Sequence, residues 1–292
     1  MRFTKAHGTG NDFVVLADPD DRLEVPAGLV RALCDRRRGV GADGVLRLGA
    51  PDGEADIFMD YRNADGSVVE MCGNGVRVTA KHAVDHGLVA ADDDVVRVGT
   101  RAGVKPVRIV RGADGLVVAA TVDMGPPILA PDEVPFEADT DAPSHQVEVG
   151  DQPVRLGVAS MGNPHAVVPV DDVDDAPVTT LGPRLETHPR FPAKVNAGFA
   201  QVLTPTEIRL RVWERGVGET QACGTGACAA VVVLQRLGQL DERVDVRLPG
   251  GTLVVRHVDG GTVEMTGPAV EVAHGDLDVS WLAAVHKQGA RL

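Results

Sequence analysis

Two cysteines stand in the same short motif. Cys72 and Cys223 each come directly before Gly-x-Gly, in MCGNG and ACGTG, and an apolar run follows each motif. This pattern predicts that both cysteines lie at the N-terminus of a helix. Such a position offers unpaired N–H groups and partial positive charge, which stabilise a thiolate and bind a carboxylate. The glycines let a ligand approach that backbone because they have no Cβ.

Two such thiols suit the inversion of a stereocentre. If both motifs face one cleft, one thiolate removes the α-proton while the opposite thiol delivers a proton to the other face. An ordinary thiol pKa of ~8.5 can be tuned close to neutrality. The backbone N–H groups after each cysteine would hold the α-carboxylate and stabilise the developing charge. They belong to Gly73, Asn74, Gly224 and Thr225. This chemistry requires no cofactor.

An internal repeat contains the two motifs. Cys223 follows Cys72 by 151 residues, and at this offset residues 56–89 align with residues 207–240 without a gap. A Gly-Asn pair also recurs, at Asn11 and at Asn163, before a short apolar run. Generic strand-turn-helix units could resemble one another by chance, but identical motifs at matched positions favour duplication. We therefore expect two homologous domains.

The pattern of apolar residues predicts a mixed fold. Strands are predicted over residues 14–17, 55–61, 95–98, 107–110 and 116–122, and helices over residues 76–86 and 227–237. The second helix is almost wholly apolar, which is typical of a buried core helix. The predicted fold class is α/β of the α+β type. Two pseudo-twofold-related domains would each form a curved, mostly antiparallel sheet around a central helix.

The domain boundaries follow from the repeat. We predict a first domain over residues 1–123 and a second over residues 124–276, with the C-terminal segment 277–292 packing back on the first. The Pro- and Asp-rich residues 125–150 are predicted to form a linker and edge structure. The active site would lie in the cleft between the domains.

Charge and cysteine usage limit the possible functions. A net charge of −13 disfavours nucleic-acid and anionic-membrane partners, which require a basic face. No run is long enough to span a bilayer, and the first residues lack the apolar stretch of a signal peptide. Four cysteines without a CxxC pair argue against disulfides or a structural zinc site and fit a reducing compartment. We therefore expect a cytoplasmic protein with free thiols, in which Cys34 and Cys228 are structural.

Several motifs together resemble the diaminopimelate epimerase family over nearly the whole chain. They are HGTGNDF, YRNADGS, MCGNG, GNPH, WERGVGET and ACGTG. The resemblance implies interconversion of LL- and meso-diaminopimelate, in the biosynthesis of lysine and peptidoglycan precursors, without pyridoxal phosphate, metal or redox cofactor. It also implies a small-molecule diamino diacid substrate and a homodimer.

The resemblance also implies roles for individual residues. Cys72 and Cys223 would be catalytic, and His165 and Glu214 would tune their pKa values. The implied substrate-binding residues are Asn11, Asn63, Gly73, Asn74, Asn163, Asn196, Glu214, Arg215, Gly224 and Thr225. Amides and a carboxylate suit a distal ammonium, and a guanidinium suits a distal carboxylate.

Two positions depart from the family pattern. Gly44 stands where several members carry a glutamine that reaches the substrate, and Gly198 stands where an acidic residue is common. The first change would remove a polar contact, and the second would alter local packing. Neither position is expected to touch the cysteines.

Other functions remain open at this point. A two-cysteine racemase acting on proline or hydroxyproline would share the fold and the thiol chemistry, but proline would leave Arg215 and the asparagines unpaired. PhzF-like isomerases share the fold and are not expected to keep both cysteines. A non-catalytic amino-acid binding module would not need both thiols. A pyridoxal-dependent racemase would need a Schiff-base lysine, and none of the five lysines lies in a phosphate-binding context.

Overall fold

The computed structural model describes residues 1–91 and 93–289. These residues form two compact units. The first unit comprises the described residues of Met1–Val122 and Gly267–Leu292, and the second comprises Asp123–Thr266.

Strands dominate both units. In chain order they are β1 (Arg2–Gly8), β2 (Asn11–Ala17), β3 (Gly44–Gly49), β4 (Ile57–Asn63), β5 (Val68–Val69), β6 (Val95–Thr100), β7 (Gly103–Arg111), β8 (Val117–Asp123), β9 (His145–Val149), β10 (Gln152–Ser160), β11 (Pro164–Pro169), β12 (Asn196–Thr204), β13 (Glu207–Glu214), β14 (Gly218–Thr220), β15 (Arg243–Leu248), β16 (Gly251–His257), β17 (Val263–Pro268) and β18 (Val270–Asp276). The helices are α1 (Ala27–Cys34), α2 (Gly73–Asp85), α3 (Val178–Glu186), α4 (Gly224–Arg236) and α5 (Val279–Gly289). Within the described residues, no helix is both long enough and apolar enough to span a lipid bilayer.

The first unit contains one twisted run of paired strands. The order is β18-β1-β2-β3-β4-β6-β7-β8, with β5 added to β4. The pairs β2–β3 and β4–β6 are parallel, and the other pairs are antiparallel. Parallel neighbours need a crossover connection, and these are supplied by α1 and α2. Helix α2 therefore lies against the strands that it connects.

The second unit repeats this arrangement. Its strand order is β9-β10-β11-β12-β13-β15-β16-β17, with β14 added to β13. The parallel pairs are β11–β12 and β13–β15, which are bridged by α3 and α4. The order of parallel and antiparallel pairs is the same in both units, as a duplication requires. The edge strand β9 occupies the place that β18 occupies in the first unit.

A central helix fills the sheet of each unit. Helix α2 is buried continuously from Gly73 to Ala83 and contacts six strands, β1, β2, β3, β4, β6 and β7. Helix α4 is buried from Gly226 to Leu234 and contacts β10, β11, β12, β13 and β16. Burial within a sheet favours apolar residues on all sides of a helix, which explains the sequence ACAAVVVL of α4. Helix α2 also buries Arg77, Lys81 and His82, whose polar atoms make hydrogen bonds. Both helices begin three residues before the predicted start, because the Gly-x-Gly motif forms the first helical turn.

Two segments differ from their predictions. Residues 125–150 lie in the second unit and include the edge strand β9, but the part before β9 is not a linker, because Val134 and Phe136 are buried in the core of that unit. Residues 267–276 belong to the first unit, because β18 pairs with β1 from Arg2 opposite Asp276 to His7 opposite Val270. Helix α5 contacts α1 in the first unit, and residues 290–292 of the predicted C-terminal segment lie outside the described residues.

Replacing a buried leucine in the core of the second unit should destabilise the protein more than replacing an exposed one. Leu156 in β10 is fully buried among apolar side chains, so Leu156→Ala should lower the free energy of unfolding by about 2–5 kcal/mol. Leu203 in β12 of the same unit is 41% exposed, so Leu203→Ala should change it by less than about 1 kcal/mol. Urea unfolding of both variants measures the difference. Equal losses would contradict the assignment of this core.

Candidate active site

Both motif cysteines lie at helix N-termini, as their sequence context predicts. Cys72 precedes α2 and Cys223 precedes α4, each in an extended backbone conformation. The carbonyl of Cys72 accepts the N–H of Val76, and the carbonyl of Cys223 accepts the N–H of Ala227, both at 2.9 Å. Each cysteine is therefore the N-cap residue, and Gly73 and Gly224 are the first helical residues. All four cysteines carry free thiols, and Cys34 and Cys228 are buried.

The first half-site consists of Asn11, Cys72 and Asn74. Sγ of Cys72 lies 3.8 Å from Oδ1 of Asn11, and Nδ2 of Asn74 donates to the same oxygen at 3.2 Å. The amide of Asn11 donates in turn to Asp43 at 2.9 Å. Asn11 and Cys72 come together because Asn11 begins β2 and α2 packs against β1 and β2. A partly exposed thiol thus lies beside two amides.

Arg77 holds the first half-site from within the protein. It is fully buried, and its Nη2 donates to Thr9 Oγ1 at 2.9 Å and to Asn74 Oδ1 at 2.8 Å. Its Nη1 donates to the carbonyl of Gly73 at 3.3 Å. With Oδ1 of Asn74 occupied, Nδ2 faces Asn11. Sequence reasoning missed Arg77, although its spacing of three residues from Asn74 on a helix is a usable signal.

Asn63 ends β4, where Gly44 lies opposite it in β3. Oδ1 of Asn63 accepts from the hydroxyl of Tyr61 at 2.9 Å, and its Nδ2 donates to Ser67 at 3.1 Å. A Cβ added to Gly44 would lie 2.5 Å from a ring carbon of Tyr61 and from the carbonyl oxygen of Arg62. Tyr61 therefore fills the space that a longer side chain at position 44 would need. A Cβ at Gly198, the second departure, would lie 3.4 Å from a side-chain carbon of Leu210 and 3.9 Å from the carbonyl oxygen of Ala166, which are ordinary contact distances.

The second half-site consists of Glu214, Cys223 and Thr225. The thiol of Cys223 is buried, receives the N–H of Gly226 at 3.4 Å, and lies 3.5 Å from the hydroxyl of Thr225. Burial is the largest cause that raises the pKa of Cys223 well above its ordinary value, and the adjacent carboxylate of Glu214 raises it further. The helix N–H and the Thr225 hydroxyl lower it less. Cys223 is therefore a protonated thiol at neutral pH.

A second group of predicted residues surrounds His165. Its Nε2 donates to Oδ1 of Asn163 at 3.1 Å, and His165 lies beside Asn196 in the register of β11 and β12. Oδ1 of Asn196 accepts the backbone N–H of Arg215 at 2.8 Å. Burial, with a smaller effect from the Arg215 cation, lowers the pKa of His165 to about 3. His165 is thus neutral, and no described residue hydrogen-bonds to its Nδ1.

Glu186 holds the turn that carries Glu214 and Arg215. This residue ends α3, and its two oxygens accept the indole N–H of Trp213 at 2.8 Å and the backbone N–H of Gly216 at 3.1 Å. The hydrogen bond from Trp213 is the main cause that lowers the pKa of Glu186, so the acceptor is ionised. Sequence reasoning missed Glu186, because it precedes its partners Trp213 and Gly216 by 27 and 30 residues and no local pattern marks it.

Sequence comparison identifies relatives over nearly the full length. The model of the diaminopimelate epimerase family matches residues 3–130 and 157–272. A protein named diaminopimelate epimerase from Alkalilimnicola ehrlichii is 53% identical over 280 residues, which cover 95% of this chain and 98% of the relative. One of the same name from Pseudomonas aeruginosa is 51% identical, covering 95% and 99%.

Comparison with solved structures identifies the fold. A probable proline racemase from Agrobacterium radiobacter matches with a TM-score of 0.69 at 16% identity, covering 95% of this chain and 93% of the other. A hydroxyproline epimerase from Agrobacterium vitis matches with a TM-score of 0.68 at 18% identity, covering 95% and 90%. At these identities the likeness shows a shared fold alone. The predicted mixed fold, with a large sheet and few helices, is confirmed.

His165 makes the stability of the second unit depend on pH. The pKa of His165 in the folded protein, about 3, lies below the ordinary value of 6.5. Its contribution to the free energy of unfolding is therefore complete above pH ~6.5 and is lost as the pH falls toward 3. Between about pH 7 and about pH 5 this loss amounts to about 2 kcal/mol. Urea unfolding at about pH 7 and at about pH 5 measures this loss. From about pH 7 to about pH 5, the free energy of unfolding of His165→Asn should fall by about 2 kcal/mol less than that of the wild type. Identical decreases would contradict the burial of a neutral His165.

Glu186 should control the order of the turn at Arg215. Glu186→Ala removes the acceptor of two hydrogen bonds, so trypsin should cleave after Arg215 at least about tenfold faster than in the wild type. Glu219→Ala is the matched control, because Glu219 pairs with Arg211 on the surface of the adjoining strands. The control should cleave at the wild-type rate, measured by mass spectrometry of timed digests. Unchanged cleavage of Glu186→Ala would contradict the role of Glu186.

Proposed function

Because the chain belongs to the diaminopimelate epimerase family, we propose that it interconverts LL- and meso-diaminopimelate by proton transfer between the α-carbon and two cysteines. The observation that carries this proposal is the pair of cysteine-capped helices, at Cys72 and Cys223, in two units of the same topology. The reaction would use the chain's own residues and no cofactor. The substrate would bind at the N-termini of the two cysteine-capped helices.

The two thiols would exchange roles with the direction of the reaction. In one direction, the thiolate of Cys72 would take the α-proton, and the thiol of Cys223 would give its proton to the opposite face. Support comes from the raised pKa of the Cys223 thiol, which burial and Glu214 keep protonated. In the reverse direction, the thiolate of Cys223 would take the α-proton and the thiol of Cys72 would give its proton, so each direction begins from the opposite protonation states of the two thiols.

The helix N-termini would hold the reacting end of the substrate. The backbone N–H groups that we assign to the α-carboxylate belong to Gly73, Asn74, Gly224 and Thr225, in the first turns of α2 and α4. Removal of the α-proton places negative charge on the carboxylate oxygens, which these N–H groups and the helix dipoles stabilise. Arg77 would act as a positioning residue, because it fixes the orientation of Asn74 and does not itself reach solvent.

The distal amino-acid group would bind the remaining polar residues. We assign Arg215 to the distal carboxylate and the side chains of Asn63, Asn163, Asn196 and Glu214 to the distal ammonium and its surroundings. Asn196 already holds the backbone of Arg215, and Glu186 holds the next residue, so this part of the site is preorganised. A neutral His165 beside Asn163 would tune the local electrostatics without adding a charge.

The setting of the enzyme is proposed from the same family. We place it in the cytoplasm, as a homodimer acting in lysine and peptidoglycan precursor biosynthesis. Its substrate would be a small diamino diacid, and we expect no nucleic-acid or membrane partner. The acidic net charge of −13 and the free thiols support this setting.

Epimerisation in D2O tests the proposal. Reduced protein without added cofactor should convert LL-diaminopimelate to the meso form with incorporation of solvent deuterium at the α-carbon, followed by NMR and chiral chromatography. Cys72→Ser and Cys223→Ser should each lower kcat by at least about 100-fold, since each removes one of the two acid–base groups. Cys34→Ala and Cys228→Ala, at the other two buried cysteines, should retain activity.

Three results would each contradict a different part of the proposal. Exchange at the α-carbon of L-proline but not of diaminopimelate would replace the proposed substrate and keep the two-thiol chemistry. Full activity of either serine variant would contradict the two-thiol mechanism itself. Binding of diaminopimelate without any α-deuteration by folded protein would contradict catalysis and leave a binding function.

A further inference from the structure

Three histidines surround one carboxylate at the far end of α2. His82 and His86 follow Cys72 by ten and fourteen residues, so His82 lies about 15 Å along the helix from the thiol. Nδ1 of His82 lies 2.6 Å from one oxygen of Glu271, and Nε2 of His86 lies 3.0 Å from the other. Nε2 of His274 lies 3.5 Å from that second oxygen. None of these residues belongs to the two half-sites.

The helix and the sheet bring this cluster together. His82 and His86 are one turn apart, so both rings lie on the same face of the helix end, with centroids 4.2 Å apart. Glu271 and His274 lie on β18, which pairs with β1, and α2 packs against β1. The ring of His274 lies 5.4 Å from that of His86. The folded first unit thus gathers four ligand-type side chains from two distant parts of the chain.

We propose that His82, His86, Glu271 and His274 form a binding site for one divalent transition-metal ion, with Zn²⁺ as the preferred ion. The ligand atoms of His82, His86 and Glu271 all lie within 4.8 Å of one another. A tetrahedral Zn²⁺ with bonds of about 2.1 Å spaces its ligand atoms about 3.4 Å apart. The distances from the imidazole nitrogens to the Glu271 oxygens, 2.6, 3.0 and 3.5 Å, are of the same size. Imidazole nitrogen and carboxylate oxygen are ligands that Zn²⁺ accepts.

Two further observations support a metal site. The hydroxyl of Thr4 lies 2.9 Å from Nδ1 of His274, a contact that orients the ring so that Nε2 points toward Glu271. Burial also varies across the cluster, since the His82 and Glu271 side chains are 5% and 12% exposed while that of His274 is 53% exposed. The site therefore has a rigid, buried side and a side open to solvent, through which an ion can enter.

A hydrogen-bonded cluster without metal is the competing explanation. In that case the carboxylate of Glu271 would accept N–H groups from the imidazoles, and one carboxylate would serve three rings. A divalent cation would instead use the lone pairs of all three rings together with the carboxylate. It would tie the end of α2 to a strand 189 residues away, so it would stabilise the first unit by binding the folded state alone.

Metal titration of the intact chain tests the proposal. The protein should carry Cys72→Ser and Cys223→Ser, so that the two motif thiols do not compete for the ion, and should be stripped with a chelator. We expect calorimetric titration with Zn²⁺ to give one equivalent bound per chain and the unfolding temperature to rise with added Zn²⁺. Co²⁺ should give the visible absorption bands of a tetrahedral nitrogen and oxygen site.

Ligand variants in the same background identify the site. The double variant His82→Ala/Glu271→Gln should weaken Zn²⁺ binding at least about 100-fold and abolish the Co²⁺ bands. The control His188→Ala/Glu219→Gln, with the same two substitutions in the second unit, should bind like the parent. If the double variant does not fold, the single variant His86→Ala, at a ring with 39% side-chain exposure, should weaken binding at least about tenfold.

Two outcomes would overturn the proposal. One is the absence of a stoichiometric Zn²⁺ event in the stripped parent protein, which would leave a hydrogen-bonded cluster only. The other is binding by His82→Ala/Glu271→Gln or His86→Ala that equals binding by the parent. Because the readouts are metal binding and unfolding temperature in a protein without either motif cysteine, the result is independent of the epimerase assay.

Discussion

The burial of one helix inside the sheet of each unit is the constraint on which the rest of the structure depends. Helices α2 and α4 each begin with Gly-x-Gly. Because glycine has no Cβ, this first turn can pack closely against the surrounding strands. There is little space for a side chain at Gly75, since an added Cβ would lie 3.1 Å from a side-chain carbon of Leu46. The cysteine before each motif is therefore held at a helix N-terminus by the packing of the whole unit.

The two half-sites share a backbone plan but differ in their surroundings. Cys72 is partly exposed and lies beside the amide of Asn11, whereas Cys223 is buried beside the carboxylate of Glu214. A carboxylate next to a buried thiol favours the protonated form, because ionisation would place two negative charges together in a poorly solvated space. Duplication thus supplied two equal scaffolds, and the side chains around each thiol made them chemically unequal.

Buried polar residues connect the half-sites to the fold. Arg77 and Glu186 are buried, and each hydrogen-bonds to a group in or next to a predicted substrate-binding residue. Arg77 donates to the side chain of Asn74, and Glu186 accepts the backbone N–H of Gly216, which follows Arg215. A buried charge is tolerated only when its hydrogen bonds are made, so each of these residues also fixes the geometry of its partners. Tyr61 has a similar role at Asn63, where its ring occupies the space beside Gly44.

Local sequence determined much about this protein by itself. The presence of each central helix, the apolar nature of α4 and the position of both cysteines before a helix follow from residues within a few positions of one another, where helix signals act. The first residue of each helix lies three positions earlier than predicted. The repeat, the fold class and the family also follow from the order of residues. The tertiary structure alone decided which unit holds β18, because strand pairing joins residues at opposite ends of the chain. It alone revealed Arg77 beside Thr9, Glu186 beside Gly216 and Glu271 beside His82, since such polar contacts are set by packing between elements and leave no periodic signal in the sequence.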